Sequence, residues 1–334
     1  SDEKPAYGVV TNFGGWTWPP QEGISFSCWL KISSYDEDAG QEICLIEVHD
    51  GQQNTVFGIY LGKEGITFGT GPKGHEDTAY FRHDTNLISF KQWHHFTLVH
   101  KRTRKTRAPL SLFGSKEGSV HLYVDGRKAA EPQALPFTSA VQKGGKVGIL
   151  YAVIGNENQG NIVWHLGPTL LTLEAFSPSL ALRLFLAGPQ CRTGFRSTTD
   201  TAQAQDTFAG LLRIFQEYGK PCEEIMKELD LPVSNSIECA RNISKIQHLT
   251  LNTETLQFFF TASQSRRVDM SQPDGNGVVQ SFVVSNMAID SYGVRQSNPV
   301  LQLKGSAFPT TRQPLINAVT GAGGISTLFH LIDT

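Results

Sequence analysis

The sequence has few cysteines, and their spacing shows none of the patterns that bind zinc or build a small disulfide scaffold. The five are Cys28, Cys44, Cys191, Cys222 and Cys239, and no two of them form a C-x-x-C pair. The formal net charge is only −2, which argues against a partner held mainly by charge, such as a nucleic acid. These absences favour a reducing compartment and predict neither a zinc module nor a nucleic-acid-binding protein.

Other motifs are lacking as well. No apolar run has the length of a membrane span, and the first ten residues contain no apolar signal region, so we expect a soluble protein. The sequence has no G-x-S-x-G motif, and "GTGPKG" at 69–74 lacks the Gly-Lys-Ser/Thr ending of a phosphate-binding loop. The sequence therefore predicts no cofactor.

The composition, 39% apolar and 18% charged, is that of a globular chain, and 334 residues suggest two parts. From residue 24 to about 175, alternating apolar and polar residues separated by glycine-containing turns predict a β-sandwich. In "ISFSCWLKIS" the alternation places every second residue on the core face. Asp125-Gly126 in "VDGR" is a strong hairpin signal. The core-face residues of that first stretch are Ile24, Phe26, Cys28, Leu30 and Ile32.

After residue 178 the pattern becomes helical. Ser177 is a candidate N-cap, Pro178 suits the first turn, and Gly188 ends the leucine periodicity. Further helices are predicted over 206–220, 221–232 and much of 313–333, and the region 246–310 is mixed and partly extended.

Four stretches, taken in order, resemble a known family: "GISFSCWLKI", "QWHHFTLVH", "GSVHLYVDGRK" and "GNIVWHLGPTLLTLEAFSPSLALRLFLAGPQCRTGF". They are similar to the concanavalin A-like, laminin-G-like jelly roll that precedes armadillo-type helices in large BEACH-domain proteins. The resemblance implies a mainly β fold, with a concanavalin A-like jelly-roll β-sandwich over 1–196. An α-helical and mixed extension over 197–334 would begin an armadillo-like region. It also implies a cytoplasmic protein, peripheral to membranes, in vesicle trafficking or autophagy.

The stretch "KQWHHFTLVHKRTRKTR" at 91–107 combines histidines with a cluster of cations. As a strand it alternates Trp93 and His95 with His94 and Phe96, so no metal ligands converge and no metal site is predicted. The cations that follow are read as a solvated loop, with contact to an anionic membrane as the functional alternative. The cations of this loop are Lys101, Arg102, Arg104, Lys105 and Arg107.

Glycosidase chemistry on a sandwich needs two carboxylates on one strand face. In a regular strand Glu42 and Glu47 point to opposite faces, and so do Glu47 and Asp50. We therefore expect no enzyme activity.

Several aromatic and polar residues alternate away from the core and form a candidate ligand face. Either this face holds a sugar ring or a peptide, or the C-terminal helices cover it. The face comprises Trp29, Lys31, Glu47, His49, His121 and Tyr123.

Three functions follow from these patterns. The first is a recognition or scaffold module that binds a protein partner, and the second is an intracellular sensor that binds an oligosaccharide. The third is a secreted carbohydrate-binding or glycan-processing protein with a laminin-G-like fold, for which the "NIS" sequon at Asn242 would be glycosylated.

Overall fold

A computed structural model describes residues 6–13, 16–34, 42–62, 65–71, 79–83, 89, 91–102, 118–137, 147–155, 162–189, 255–260, 265–266, 283–284, 299–305 and 307. The strands are β1 (Tyr7–Thr11), β2 (Thr17–Trp18), β3 (Gly23–Ser34), β4 (Ile43–Asp50), β5 (Thr55–Gly62), β6 (Gly65–Thr70), β7 (Ala79–His83), β8 (Trp93–Arg102), β9 (Gly118–Val124), β10 (Arg127–Lys128), β11 (Gln133–Ala134), β12 (Val147–Gly155), β13 (Val163–Thr172), β14 (Leu256–Phe260), β15 (Ser265–Arg266), β16 (Val283–Val284) and β17 (Val300–Lys304). The helix α1 (Pro178–Ala187) lies between β13 and β14.

These strands form two antiparallel sheets. The first sheet has the order β15-β16-β17-β1-β12-β4-β5-β6-β7, with β2 paired to β12. The second sheet has the order β10-β9-β8-β3-β13-β14, with β11 paired to β9. One apolar cluster takes side chains from both sheets, so the architecture is a β-sandwich, and the predicted fold class is confirmed to that extent.

The alternation predicted for β3 and β8 is confirmed. Every second residue of β3, from Ile24 to Ile32, lies in the core, and so do Phe96 and Leu98 of β8. The opposite residues of each strand face away from the other sheet. The two strands pair from Gly23 opposite Lys101 to Lys31 opposite Trp93, which aligns their outer faces.

Strand β4 departs from regular alternation. The pairing of β4 with β5 shifts between Cys44 and Ile46, which is the signature of a β-bulge. Leu45 and Ile46 therefore both enter the core, although strict alternation would place Leu45 on the same face as Glu47.

Helix α1 begins and ends where the sequence predicts. Ser177 caps it, since its hydroxyl accepts a hydrogen bond from the Leu180 N–H at 3.2 Å, and Gly188 ends it at φ 77°. The helix packs on the outer face of the second sheet through the outer cluster. We use this name for the buried side chains Val99, Tyr123, Leu170, Phe176, Ala181, Leu184, Leu256 and Phe259. Among the described residues, no helix is long and apolar enough to cross a membrane.

The sandwich also uses chain beyond residue 196. β14 pairs with β13, and β17 pairs with β1, so both strands belong to the sheets. Sheet pairing therefore crosses the boundary predicted between a sandwich over 1–196 and an extension over 197–334. To that extent the predicted boundary needs correction. The helices predicted over 206–220, 221–232 and 313–333, and with them the armadillo-like region, lie outside the described residues.

Candidate functional site

The six residues of the predicted ligand face lie on two different sheets. Glu47 and His49 belong to β4 of the first sheet, and the other four belong to β3 and β9 of the second. Each residue faces outward from its own sheet, because its strand neighbours lie in the shared core. The two groups are therefore on opposite sides of the sandwich, and the six do not form one site.

Trp29 and Tyr123 are covered by α1. The Trp29 side chain is 5% exposed, and its indole stacks on Phe185 of the helix with ring centroids 5.5 Å apart. Tyr123 belongs to the outer cluster, and burial raises the pKa of its hydroxyl. Neither ring is available as a platform for a ligand. Trp29 and Tyr123 therefore lie under a helix, which was the alternative to a ligand face in the sequence analysis.

His121 lies in a basic corner of the second sheet. Its Nε2 is 3.0 Å from the Ser119 hydroxyl. Burial lowers the pKa of His121, and the positive charges of Lys101 and Lys128 lower it further. Of the cationic loop, Lys101 and Arg102 are the described members, and Arg104, Lys105 and Arg107 lie outside the described residues.

The outer face of the first sheet carries a compact polar and aromatic group, which we call the first-sheet cluster: Glu47, His49, Thr55 and Tyr151. His49 pairs with Tyr151 across β4 and β12, and their rings stack with centroids 4.6 Å apart and an interplanar angle of 14°. The Thr55 hydroxyl donates to Glu47 Oε1 at 2.6 Å, and His49 Nε2 lies 3.5 Å from the same oxygen. The cluster thus joins a flat stacked pair to a carboxylate.

The first-sheet cluster is partly open to solvent and locally negative. The Glu47 side chain is 26% exposed and that of His49 is 12% exposed. Burial raises the pKa of the Tyr151 hydroxyl, and the negative charges of Glu47 and Asp50 raise it further. Asp50 itself is buried and holds the following turn, because its Oδ1 accepts from the N–H groups of Gln52 and Asn54, both at 2.8 Å. It therefore acts on the cluster through its charge.

The bulge in β4 also changes the geometry of the carboxylates. Ile43 and Ile46 both point into the core although they are three residues apart. Glu42 precedes Ile43, and Glu47 follows Ile46, so both carboxylates lie on the outer side of the strand. The prediction that they face opposite ways was wrong because it assumed a regular strand. Among the described residues, no group of His, Cys, Asp and Glu could hold a metal ion.

A Ser-His-Asp arrangement joins β8 to the β9–β10 hairpin, and the sequence reading did not anticipate it. His94 Nδ1 lies 2.8 Å from Asp125 Oδ2, and His94 Nε2 lies 3.0 Å from the Ser89 hydroxyl. The Ser89 backbone N–H also donates to His94 Nε2 at 3.0 Å, so the single lone pair of that nitrogen is already engaged. A base must have that lone pair free to accept the serine proton. The arrangement is therefore structural, and it connects β8 to the β9–β10 hairpin.

Asp125 also forms hydrogen bonds with the backbone of His95, which fix its position. Its Oδ1 accepts from the His95 N–H at 2.8 Å, and its own N–H donates to the His95 carbonyl at 2.8 Å. Asp125 and Gly126 have φ values of 51° and 73°, which the two-residue hairpin turn requires. The predicted Asp125-Gly126 hairpin is confirmed.

We expect Asp125→Ala to lower the free energy of unfolding by about 2 kcal/mol, because two side-chain hydrogen bonds are lost and alanine disfavours positive φ. Asp125→Asn should cost less than half as much, since its amide oxygen accepts from the His95 N–H and asparagine tolerates this conformation. Urea unfolding of both variants checks this. Equal losses would show that the hydrogen bond to His95 contributes nothing.

No protein-family model matches the sequence, and a comparison with curated proteins gives no match. Among solved structures, the chain is similar to the binding domain of botulinum neurotoxin DC in complex with rat synaptotagmin II, at 14% identity and a TM-score of 0.35, covering 49% of this chain and 35% of that one. It is also similar to the binding domain of Paraclostridial mosquitocidal protein 1, at 14% identity and a TM-score of 0.35, covering 53% of this chain and 38% of that one. The botulinum neurotoxin serotype D binding domain gives 14% identity and a TM-score of 0.34, covering 53% of this chain and 39% of that one. These scores are too low to support an argument from shared architecture, so the fold assignment rests on the strand pairing described above.

Proposed function

We propose that the chain is a non-catalytic recognition module that binds a glycan or protein ligand through the first-sheet cluster. The observation that carries this proposal is the contrast between the two outer faces. On the second sheet α1 buries Trp29 and Tyr123, while on the first sheet Glu47 and His49 stay partly exposed beside Tyr151. A partly exposed aromatic pair beside a carboxylate is a chemical pattern that suits recognition.

Each part of the cluster has a role in this proposal. The stacked rings of His49 and Tyr151 offer an apolar surface to the face of a sugar ring or to a peptide side chain. Glu47 accepts hydrogen bonds from ligand hydroxyl or amide groups through the oxygen that does not bind Thr55. Thr55 and His49 hold the carboxylate in place, so that little conformational entropy is lost on binding.

The setting of this module is a further proposal, supported by the sequence resemblance alone. In that setting it is the lectin-like part of a large BEACH-type protein, cytoplasmic and peripheral to membranes, in vesicle trafficking or autophagy. The cations from Lys101 onward would then add contact with an anionic membrane, which weakens as salt is raised. Among the described residues, Cys28 is a buried free thiol, as a reducing compartment favours. The alternative, a secreted protein, predicts disulfides elsewhere in the chain and glycosylation at Asn242.

A glycan array tests the site. The purified chain is compared with Tyr151→Ala, which removes half of the stacked pair, and with Glu47→Gln, which removes the charge. The matched control is Glu131→Gln, the same change of charge on a carboxylate that is 90% exposed and paired with Lys128 on the second sheet. We expect binding to fall about tenfold or more in the first two variants and to stay unchanged in the control, since each tenfold step is about 1.4 kcal/mol.

The outcomes separate the alternatives. Binding that survives both cluster variants, with folding confirmed by circular dichroism, would move the site elsewhere. If the unaltered chain binds no glycan on the array, the hypothesis of a glycan ligand is wrong. The next experiment then compares the proteins that bind the unaltered chain with those that bind Tyr151→Ala. Release of reducing ends from a bound oligosaccharide, abolished in Glu47→Gln, would overturn the proposal that the module is non-catalytic.

A further inference from the structure

A second group of outward-facing side chains lies on the second sheet, beside the area that α1 covers. Lys31 of β3 pairs with Trp93 of β8 on one side and with His165 of β13 on the other. Directly paired residues in neighbouring antiparallel strands have side chains in contact range. These three residues and Ser33 make up what we call the Trp93 patch.

The indole of Trp93 lies across the sheet. Strand β3 separates β8 from β13, yet Trp93 Cζ3 lies 3.4 Å from the position that a Cβ would occupy at Gly167 of β13. The same Cβ would lie 2.7 Å from Trp29 Cβ, so a larger residue at Gly167 would clash with Trp29. Because the ring reaches across β3 and is partly exposed, it forms a flat platform on the surface of the sheet.

Polar groups border this platform. The ring centroids of Trp93 and His165 are 6.4 Å apart, and His165 Nε2 lies 3.0 Å from the Ser33 hydroxyl. Burial lowers the pKa of His165, and the positive charge of Lys31 lowers it further, so the imidazole is neutral near pH 7. A neutral imidazole and a hydroxyl can each donate or accept a hydrogen bond.

The Lys31 ammonium supplies positive charge at the patch. Lys31 is partly exposed, and within the described residues no carboxylate forms an ion pair with it. An anionic group seated on the platform would meet this charge directly. The patch thus combines a cation, a flat aromatic ring and two neutral hydrogen-bonding groups on one surface.

We propose that the Trp93 patch binds an acidic sugar residue, a uronic acid. The pyranose ring stacks on the Trp93 indole, its carboxylate pairs with Lys31, and its hydroxyls bond to Ser33 and His165. The platform favours a ring over a free inorganic anion, and the single cation matches a single carboxylate. This site is on the opposite side of the sandwich from the first-sheet cluster, so it does not depend on the function proposed for that cluster.

The test uses two tetrasaccharides that differ only in charge. The first alternates glucuronate with N-acetylglucosamine, and in the second each glucuronate carboxyl is reduced to the alcohol. Titration calorimetry with the full chain should show that the acidic tetrasaccharide binds about tenfold more tightly or better. Lys31→Met should remove this preference, whereas Lys128→Met, the same change on an exposed lysine of the same sheet, should keep it.

Trp93→Ala should abolish binding of both tetrasaccharides, because the platform is lost. If that variant does not fold, Lys31→Met still decides the matter, since its side chain is at the surface. Equal affinity for the two tetrasaccharides, equal effects of Lys31→Met and Lys128→Met, or no binding of the acidic tetrasaccharide would each overturn the proposal. In each case the result of the glycan array on Tyr151→Ala would stand independently.

Discussion

Replacing Trp29 with alanine is expected to lower the free energy of unfolding by about 3–5 kcal/mol, the usual cost of removing a large aromatic side chain from a packed interior. Trp29 is 5% exposed and stacks on Phe185 of α1 at 21° between the ring planes. Its other neighbours are the His95 ring, with centroids 5.2 Å apart, and the backbone at Gly167. Alanine would leave a cavity between α1 and the sheet and remove the contact with Phe185. Urea unfolding measures the resulting loss of stability.

A double-mutant cycle with Phe185→Ala shows whether the helix contact accounts for this loss. The two rings touch, so the combined loss should fall short of the sum by about 0.5–1.5 kcal/mol. Leu150→Ala, at a side chain that is 53% exposed, serves as the control and should change stability by less than about 0.5 kcal/mol. Strictly additive losses at Trp29 and Phe185 would contradict the proposed role of the stack.

Local chemistry made several elements predictable. The alternation in β3 and β8 depends only on local sequence, and in β3 it identified the core residues. The Asp125-Gly126 turn and the boundaries of α1 depend on positive φ and on capping by Ser177, which are properties of short stretches. The β-sandwich that the resemblance implies agrees with the two stacked antiparallel sheets.

The site was less predictable, because it depends on which strands become neighbours. Alternation shows that Trp29 and Glu47 both leave the core, but it does not show that β3 and β4 belong to different sheets. Tyr151 pairs with His49 from a strand about a hundred residues later, and no local signal joins the two. The bulge at Leu45 has no proline or glycine to mark it, so a regular strand was the natural assumption.

Acid is expected to destabilise the sandwich through two buried histidines. Burial lowers the pKa of His95 to about 3, partly opposed by the charge of Asp125. Burial also lowers the pKa of His100 to about 4, partly opposed by its hydrogen bond to the Leu135 carbonyl at 2.8 Å. Both rings are packed against aromatic side chains, His100 on Phe137 with centroids 3.5 Å apart. Protonation in the folded state would therefore place a charge in a buried, apolar environment.

Because these pKa values are lowered in the folded chain, acid favours the unfolded chain. An unfolded histidine has a pKa of about 6.5, above both folded values, so the unfolded chain binds protons first as the pH falls. The stability that the two neutral histidines contribute is complete above about pH 6.5. It is lost as the pH falls from there, toward 4 for His100 and toward 3 for His95. At about pH 5 each histidine should have cost about 2 kcal/mol, since roughly 1.4 kcal/mol is lost per pH unit. These two histidines should thus contribute about 4 kcal/mol to the difference between the stabilities measured by urea unfolding at about pH 7.5 and at about pH 5.

His100→Gln provides the matched control, since glutamine does not titrate and its amide can still donate to the Leu135 carbonyl. The variant will be less stable at every pH because the contact with Phe137 is smaller. Its loss between the two pH values should nevertheless be about 2 kcal/mol smaller than that of the unaltered chain. The difference between the two losses is the relevant quantity, because it removes the baseline effect of the substitution and the contribution of every other titrating group. An identical pH dependence in both proteins would mean that His100 is protonated in the folded state as readily as in the unfolded state.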